Sequence, residues 1–425
     1  MEKKTNSLWN WFKGSKNEEK QDSDRYSASI EMEKQIGEQI YNALQGSVVE
    51  EVLNKTKVSN SDAYWRSTME GHSLKVEKEL LADFHELCND VKLKLGFDEK
   101  VDFYITGDSS VNAFSVAAES EDEPHIVNIN SALVNLMSDD ELRFVVGHEL
   151  GHLMNKNTEM LRLIGFVFPR GTVPPLVLQY KIRLWEQLSE LIADRFGYMA
   201  VESLPACLSA FFKMTSGLDI NKIDMQVDAY LEENLKHLEY FINDKGLSRD
   251  THPVNPIRVQ SLNLFATCQS EEELEKKMEG IISALFKISN DETDYFLGFF
   301  VATAGLIAIN IDGEVTEKEI EAVLNNLSSF HIFPRDFLDN VCKQNVEEIF
   351  FSSIQEILKR DPGMREGMFN YIISLILSDS SFNQKELDFI FQVGRECFGF
   401  SEKEIADRMA VAIQKNFIPS YEAIC

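Results

Sequence analysis

The stretch SDDELRFVVGHELGH, residues 138–152, combines a helix start with a dense set of imidazole and carboxylate side chains. Ser138 and Glu141 have the spacing of a capping box, in which the serine oxygen accepts the N–H three residues on and the glutamate reaches back. Val145 and Val146 follow, and leucines alternate with the polar residues after them. The spacing therefore predicts a helix that is buried on one side and lines a cleft with the other.

Two histidines in this stretch are placed to share one metal ion. His148 and His152 are four residues apart, so on a helix both imidazoles leave the same face. Two ring nitrogens with this spacing can reach a zinc ion at about 2.0–2.1 Å. Glu149, about 100° further round the helix, is placed to hold a water molecule and exchange a proton with it. This is the HExxH arrangement of zinc peptidases, and the alternative is a helix with two solvated histidines.

A third ligand is available in ELIADRFG, residues 190–197. Glu190 and Asp194 are four residues apart on a predicted helix, so their carboxylates share a face. Glu190 is a candidate ligand, because a catalytic zinc site takes three protein ligands and keeps a fourth position for water. Asp194, one turn on, is placed to accept the second ring N–H of a ligand histidine. The alternative is a surface acidic pair with Arg195 beside it.

Four segments, taken together and in this order, resemble the M48 family of gluzincin metallopeptidases, which includes the CAAX prenyl proteases. They are Asn112-Ala-Phe114 after a short strand, SDDELRFVVGHELGH at 138–152, ELIADRFG at 190–197 and THPVNPIR at 251–258. The resemblance covers about residues 70–265. It implies one zinc ion per chain and an endopeptidase that acts on a protein or peptide substrate.

The resemblance also implies a role for each matching side chain near the metal. It implies that the zinc is held by His148, His152 and Glu190. It implies that Glu149 acts as general base and then general acid, and that Asp194 hydrogen-bonds a ligand histidine from behind.

The downstream segment adds two residues. The resemblance implies that His252 stabilises the oxyanion of the tetrahedral intermediate, where a hydrogen bond strengthens as charge develops. It implies that Arg258 anchors acidic groups around the site. Because His252 precedes a proline, the alternative is that it only caps a helix.

Short β-rich runs predict a small sheet. Residues 74–96 have the apolar spacing of an amphipathic helix that stops at Gly96, and the runs VDFYI (101–105) and HIVNIN (125–130) are typical of strands. The resemblance implies that the strand at 125–130 lies at the sheet edge and pairs with an extended substrate backbone. Substrate contacts are expected from three residues: Asn112, Ala113 and Asn128.

A repeat predicts a second, all-helical domain. Residues 300–323 and 367–390 each contain an apolar helix that ends at an aspartate, followed by a cap residue and a glutamate that opens another helix. INIDGEVTEKE within the first copy resembles TerB-like domains, which are associated with tellurite resistance and stress responses. This resemblance implies a second divalent-cation site at Asp312 and Glu319, and a regulatory protein partner. The alternative is that both copies are only helix caps.

The acidic composition argues against two classes of partner, nucleic acids and anionic membranes. The net charge of −28 makes nucleic acid a poor partner, because phosphate binding needs a basic surface, and it argues against general attraction to anionic membranes. The six cysteines have no CxxC spacing and indicate free thiols in a reducing compartment. Together with the family resemblance, this favours the bacterial cytoplasm.

Two stretches bear on membrane contact. Residues 295–311 are uncharged, which is at the lower limit for a transmembrane helix, but they fit a buried helix better. The aromatic cluster at residues 8–12 lies either in a disordered tail or in a short helix that docks on a partner, a membrane surface or the cleft. The interval from His152 to Glu190 is short and interrupted by PRGTVPP, unlike that of the integral-membrane family members. A soluble peptidase with at most peripheral membrane association is therefore expected.

These observations predict a mainly α, α+β chain. We expect a disordered tail at 1–25, a zincin-type peptidase domain with a helical lead-in and a small β-sheet at 26–280, and an all-helical TerB-like domain at 281–425. The leading hypothesis is a zinc endopeptidase that this second domain regulates or localises. The rivals are a non-catalytic stress-response interaction module with an idle zinc site, and a membrane-anchored quality-control protease that uses residues 295–311.

Overall fold

The chain is described by a computed structural model that covers residues 27–56, 61–119, 122–169, 174, 176–220, 226–243, 252–287, 292–311, 335–377 and 383–417. It divides into two compact units. The described residues of the first unit fall within 27–169, 182–243 and 252–285, and those of the second within 174–181 and 286–417. The predicted tail at 1–25 lies outside the described residues.

The described residues are mainly helical with one small sheet, which confirms the predicted fold class. Helices before the sheet are α1 (Glu31–Ala43), α2 (Gly46–Thr56) and α3 (Ser61–His72). Helices around and after the strands are α4 (Ala82–Leu95), α5 (Ser131–Leu136), α6 (Asp139–Met154), α7 (Asn157–Val167), α8 (Leu176–Val201), α9 (Leu204–Ser216), α10 (Val227–Asn243), α11 (Asn255–Thr267) and α12 (Glu271–Lys287).

Four strands form a mixed sheet: β1 (Ser73–Lys75), β2 (Val101–Thr106), β3 (Ala113–Val116) and β4 (His125–Asn130). The strand order is β1-β2-β4-β3, with β2 and β4 parallel and the two outer pairs antiparallel. β4 is thus an inner strand, and all of its residues are buried. The expectation that residues 125–130 form the sheet edge is wrong, because the short run Ala113–Val116 pairs outside it.

Two further sequence expectations need correction. Asn128, expected to contact substrate, is 1% exposed; its side chain accepts from Thr106 at 2.7 Å and donates to Asn130 at 3.1 Å. The helix expected over residues 74–96 begins only at Ala82, because residues 73–75 are drawn into the sheet by pairing with β2. Its predicted stop holds: Gly96 ends α4 with φ of 69°, a conformation that glycine adopts without strain.

The start of α6 is anchored by buried charges. The Ser138 N–H donates to Glu141 at 2.6 Å, as predicted for a capping box, and Lys213 of α9 donates to the same carboxylate oxygen at 2.7 Å. Ser209 of α9 donates to the other oxygen. Burial alone would raise the pKa of Glu141, but these hydrogen bonds outweigh it and lower that pKa. The helix that carries His148 and His152 is therefore fixed in position at its first turn.

Glycines let α6 and α8 approach closely. A Cβ added to Gly147 would lie 2.6 Å from the Cβ of Ala200 and 3.0 Å from the Cα of Gly197. A Cβ on Gly197 would in turn meet the ring of Phe144 at 2.7 Å and its backbone carbonyl oxygen at 2.8 Å. Since Cβ and backbone atoms cannot rotate away, only glycine at these positions keeps the two helices at their present distance.

The second unit is helical where it is described. Its helices after residue 286 are α13 (Glu292–Asn310), α14 (Arg335–Cys342), α15 (Val346–Arg360), α16 (Arg365–Ile376), α17 (Gln384–Glu396) and α18 (Glu402–Phe417). α13 contributes Phe300 and Val301 to a buried apolar cluster, in agreement with the expectation of a buried helix at 295–311. In the second repeat copy, Asn383 and Glu386 form the predicted capping box, at 2.8 and 3.1 Å. Among the described helices, none combines the length and apolar character needed to cross a bilayer.

Replacement of Gly147 by alanine tests the close packing of α6 on α8. We expect Gly147→Ala to lower the free energy of unfolding by about 1–3 kcal/mol, as overpacking does in well-packed interiors. The control is Gly165→Ala in α7, where an added Cβ would meet no atom of a described residue within 4 Å. That variant should be neutral or up to about 1 kcal/mol more stable, because alanine favours helix. Equal unfolding midpoints in urea for the two variants would contradict the packing account.

Candidate metal centre

Three side chains from two helices converge in the first unit. His148 and His152 extend from one face of α6, and Glu190 extends from α8; one ligand atom of each lies within 4.8 Å of the others. The two histidine Nε2 atoms are 3.2 Å apart. The Glu190 oxygens lie 3.7 Å from His148 Nε2 and 3.4 Å from His152 Nε2.

These separations fit a zinc ion. Ligand atoms held at about 2.0–2.1 Å from zinc in tetrahedral geometry lie roughly 3.3–3.4 Å from one another. The measured separations bracket that value. Glu190 Oε2 is buried and makes no hydrogen bond to any described residue, so a lone pair remains for a cation. The arrangement supplies three protein ligands of the types that zinc prefers.

The other ring nitrogens of both histidines have acceptors. His148 Nδ1 is 3.0 Å from Asp194 Oδ1, and His152 Nδ1 is 3.2 Å from Asn157 Oδ1. An oxygen acceptor at Nδ1 holds the proton there. With both rings neutral, as metal binding requires, each Nε2 would therefore present its lone pair to the common point.

Asp194 is itself clamped by an arginine. Arg258 of α11 donates from Nε to Asp194 Oδ2 at 2.8 Å and from Nη2 to Oδ1 at 2.6 Å. Burial would raise the pKa of Asp194, but the guanidinium and His148 outweigh it, so that pKa is lowered. Asp194 thus remains an anion although it is 1% exposed. A bidentate pair of this kind also fixes the direction of both side chains.

The centre carries a negative field suited to a cation. Burial opposes charge on His152, but Glu190 and Glu149 outweigh it and raise the pKa of His152 to about 9. Burial likewise opposes charge on Glu190, yet hydrogen bonds from His152 and His252 lower the pKa of this carboxyl. Glu190 and Glu149 thus place negative charge beside the His152 imidazole, which favours a cation at this point.

The three candidate ligands line a cleft of about 950 Å³ together with Glu149 and His252. His252 Nδ1 lies 3.0 Å from Glu190 Oε1, and the ring is 54% exposed. Glu149 follows His148 on α6 and is nearly buried in the cleft wall. The cleft therefore presents a carboxylate and an imidazole next to the point where the ligand atoms meet.

The remaining predicted residues divide into three groups. Asn112, which precedes strand β3, and Ala113, the first residue of that strand, line the cleft. Asn128 does not line it. Asp312 and Glu319, the predicted second cation site, lie outside the described residues.

Sequence reasoning missed the acceptor for His152. Asn157 directly follows the turn after α6, in which Lys156 adopts a left-handed φ of 56°. The positive φ reverses the direction of the chain and brings the side chain of Asn157 to His152. An asparagine five residues after the second histidine is a weak signal, because asparagine is common at helix ends for capping alone.

Comparisons with known proteins agree with this geometry. Residues 76–169 match the family model described as Peptidase family M48. The chain is similar to "Plastoglobule-localized metallopeptidase 48, chloroplastic" of Arabidopsis thaliana, with 24% identity over 249 residues, 55% of this chain and 68% of the relative. No solved structure matches the chain. These likenesses support a metal-dependent peptidase, and the family match includes His148 and His152 but ends before Glu190.

Removal of Arg258 tests the clamp on Asp194. Arg258→Met leaves a buried carboxylate without its bidentate partner, so we expect a loss of about 3–5 kcal/mol in the free energy of unfolding. The control is Arg143→Met, which removes a partly exposed ion pair with Asp90 at 3.4 Å and should cost at most about 1 kcal/mol. Thermal unfolding of the metal-free chains measures both, and similar melting temperatures for the two variants would refute the clamp.

Proposed function

We propose that this chain is a zinc-dependent endopeptidase. The observation that carries the proposal is the convergence of two imidazole Nε2 atoms and one buried carboxylate on the wall of a large cleft, with Glu149 beside them. The match to Peptidase family M48 and the similarity to a plant metallopeptidase support the same reaction class.

The proposed ligands are His148, His152 and Glu190, with one zinc ion per chain. Zinc bound there would polarise the scissile carbonyl and lower the pKa of a water molecule toward about 7. Three protein ligands leave a fourth position on the cleft side, which distinguishes a catalytic site from a closed structural one.

Glu149 is the proposed general base and acid. Its carboxylate lies in the cleft wall one residue after His148, so it can take the proton of the attacking water. The same carboxyl can then give the proton to the leaving amine. The hydroxyl of the water is thereby added to the carbonyl carbon and its other hydrogen to the leaving nitrogen, which cleaves the peptide bond.

Three further residues complete the proposed site. His252 is assigned to the oxyanion of the tetrahedral intermediate, since it lies in the cleft within 3.0 Å of Glu190. Asp194 is assigned to the orientation of His148, and Arg258 to the charge and orientation of Asp194. The alternative of a helix cap for His252 is less favoured, because its ring contacts Glu190.

The substrate is proposed to bind as an extended strand. Among the described residues β3 pairs only with β4, and its residues Ala113 to Ser115 line the cleft. An extended peptide added along the open side would gain main-chain hydrogen bonds and pass the metal ligands. Asn112 and Ala113 are the proposed contacts, in place of the buried Asn128.

The role of the second unit rests on sequence. We propose a TerB-like helical domain that regulates or localises the peptidase through a protein partner, with a second divalent-cation site at Asp312 and Glu319. A cytoplasmic location in a bacterium and a link to stress responses belong to the same proposal. The acidic composition supports a partner other than nucleic acid.

Replacement of Glu149 tests the reaction mechanism. We expect Glu149→Gln to retain the zinc ion and the fold but to cleave an unstructured protein, such as casein, about 10²–10⁴-fold more slowly, because proton transfer is lost. Glu86→Gln, an exposed position on α4, is the matched control and should cleave at the native rate. Zinc content by atomic absorption accompanies both rates. Native cleavage by Glu149→Gln would overturn the mechanism, and cleavage by neither native nor control chain would favour a non-catalytic module.

A further inference from the structure

The N-terminal helix α1 inserts a carboxylate behind the candidate metal centre. Glu33 is 1% exposed, and Ile36 and Ile40 on the same helix are equally buried. α1 precedes the segment that matches the family model, which begins at residue 76. A fully buried carboxylate is costly unless other groups hydrogen-bond to it.

One oxygen of Glu33 collects three hydrogen bonds. Its Oε1 accepts from Asn155 Nδ2 at 3.0 Å, from Ser189 Oγ at 3.0 Å and from Asn157 Nδ2 at 3.4 Å. Asn155 and Asn157 flank the turn after α6, and Ser189 precedes Glu190 on α8. Glu33 therefore contacts side chains next to two of the three candidate ligands.

These contacts determine which way the Asn157 amide faces. Its NH₂ group donates to Ser189 Oγ at 2.9 Å and to Glu33 Oε1 at 3.4 Å, so both acceptors lie on the same side of the amide. The amide oxygen must then point the other way, to His152 Nδ1 at 3.2 Å. With the proton held on Nδ1, the lone pair of His152 is on Nε2, where the metal is expected.

The residues just before α1 are fixed by hydrogen bonds from Arg195 of α8. Arg195 follows Asp194 on α8, and its Nη1 donates to the carbonyl oxygens of Ala28 and Ser29 at 3.2 and 3.1 Å. Its guanidinium also lies 5.0 Å from the centroid of Phe265 on α11. The approach of α1 is thus set by the helix that supplies Glu190.

We propose that Glu33 is a positioning residue for the metal ligand His152, acting through the amide of Asn157. The proposal rests on the proposed zinc site and adds to it an N-terminal helix that lies outside the matched family segment. Loss of Glu33 frees the Asn157 amide to turn, so that its NH₂ can face Nδ1 and the ring proton can move to Nε2.

The hydrogen bonds of Glu33 do not require its charge. Burial, partly offset by hydrogen bonds from Ser189, Asn155 and Trp185, raises the pKa of Glu33 to about 7. The donors from Asn155, Asn157 and Ser189 all bind the same oxygen, Oε1. Glutamine keeps the accepting oxygen, whereas leucine has the size but no acceptor.

Zinc affinity and a cobalt spectrum test the proposal. The Kd for zinc is measured by competition with a chromophoric chelator for the native chain, Glu33→Leu, Glu33→Gln and the control Glu31→Leu, which is exposed on the same helix. We expect Glu33→Leu to bind zinc about 10–100-fold more weakly, as for other partners of ligand histidines. Its Co²⁺ visible absorption should change in position or intensity. Glu33→Gln and Glu31→Leu should match the native chain in both readouts.

The outcomes separate this proposal from the proposed function. A folded Glu33→Leu variant with native zinc affinity and a native cobalt spectrum overturns the role of Glu33 while leaving the zinc site in place. If the native chain itself binds no zinc, both proposals fail. Melting of the metal-free chains shows which variants are folded.

If Glu33→Leu does not fold, a double-mutant cycle decides the question. Asn157→Asp sets two carboxyl groups against each other, and Glu33→Gln in the same chain offers an NH₂ group to the new aspartate. We expect the double variant to bind zinc at least about fivefold more tightly than independent single effects predict, since coupled neighbours depart from additivity. Additive effects would overturn the proposal.

Discussion

Asp194 accepts two hydrogen bonds from Arg258 and lies 3.0 Å from His148 Nδ1, and so joins α6, α8 and α11 in the interior of the first unit. A buried carboxylate without these partners would be neutralised or expelled to water. With them it stays charged, orients the imidazole and sets the separation of the two helices that carry the candidate ligands. The position of Glu190, one turn before Asp194 on α8, follows from the same contact.

The positions of the candidate ligand atoms are well defined because several contacts fix the helices α6 and α8 that carry them. The first turn of α6 is fixed by the hydrogen bond from Lys213 of α9 to Glu141. The residues just after the C-terminus of α6, Asn155 and Asn157, donate side-chain hydrogen bonds to Glu33. Between these points, Gly147 and Gly197 let α6 and α8 approach without intervening side chains. A metal site tolerates displacements of only a few tenths of an ångström, so these contacts act directly on the chemistry.

Local spacing was enough to predict which side chains of α6 face the candidate site. The capping box and HExxH pattern in residues 138–152 depend only on helical geometry. Glu190 was a candidate third ligand on a second helix, and the family resemblance favoured it over a surface acidic pair. Sequence could not show Asn157 or Glu33, because a left-handed turn and a distant helix bring them to His152. The error at 125–130 has a similar origin: strand order depends on a short partner, Ala113–Val116, that has almost no periodicity of its own.

The central claim is that two imidazoles and one carboxylate hold a zinc ion with an open position. X-ray absorption at the zinc edge of the purified chain tests it most directly. The account predicts one zinc per chain, nitrogen and oxygen scatterers only at about 2.0–2.2 Å, and an outer-shell pattern from two imidazoles, His148 and His152. A sulfur shell near 2.3 Å, or a chain that holds no zinc after incubation with the metal, would contradict it.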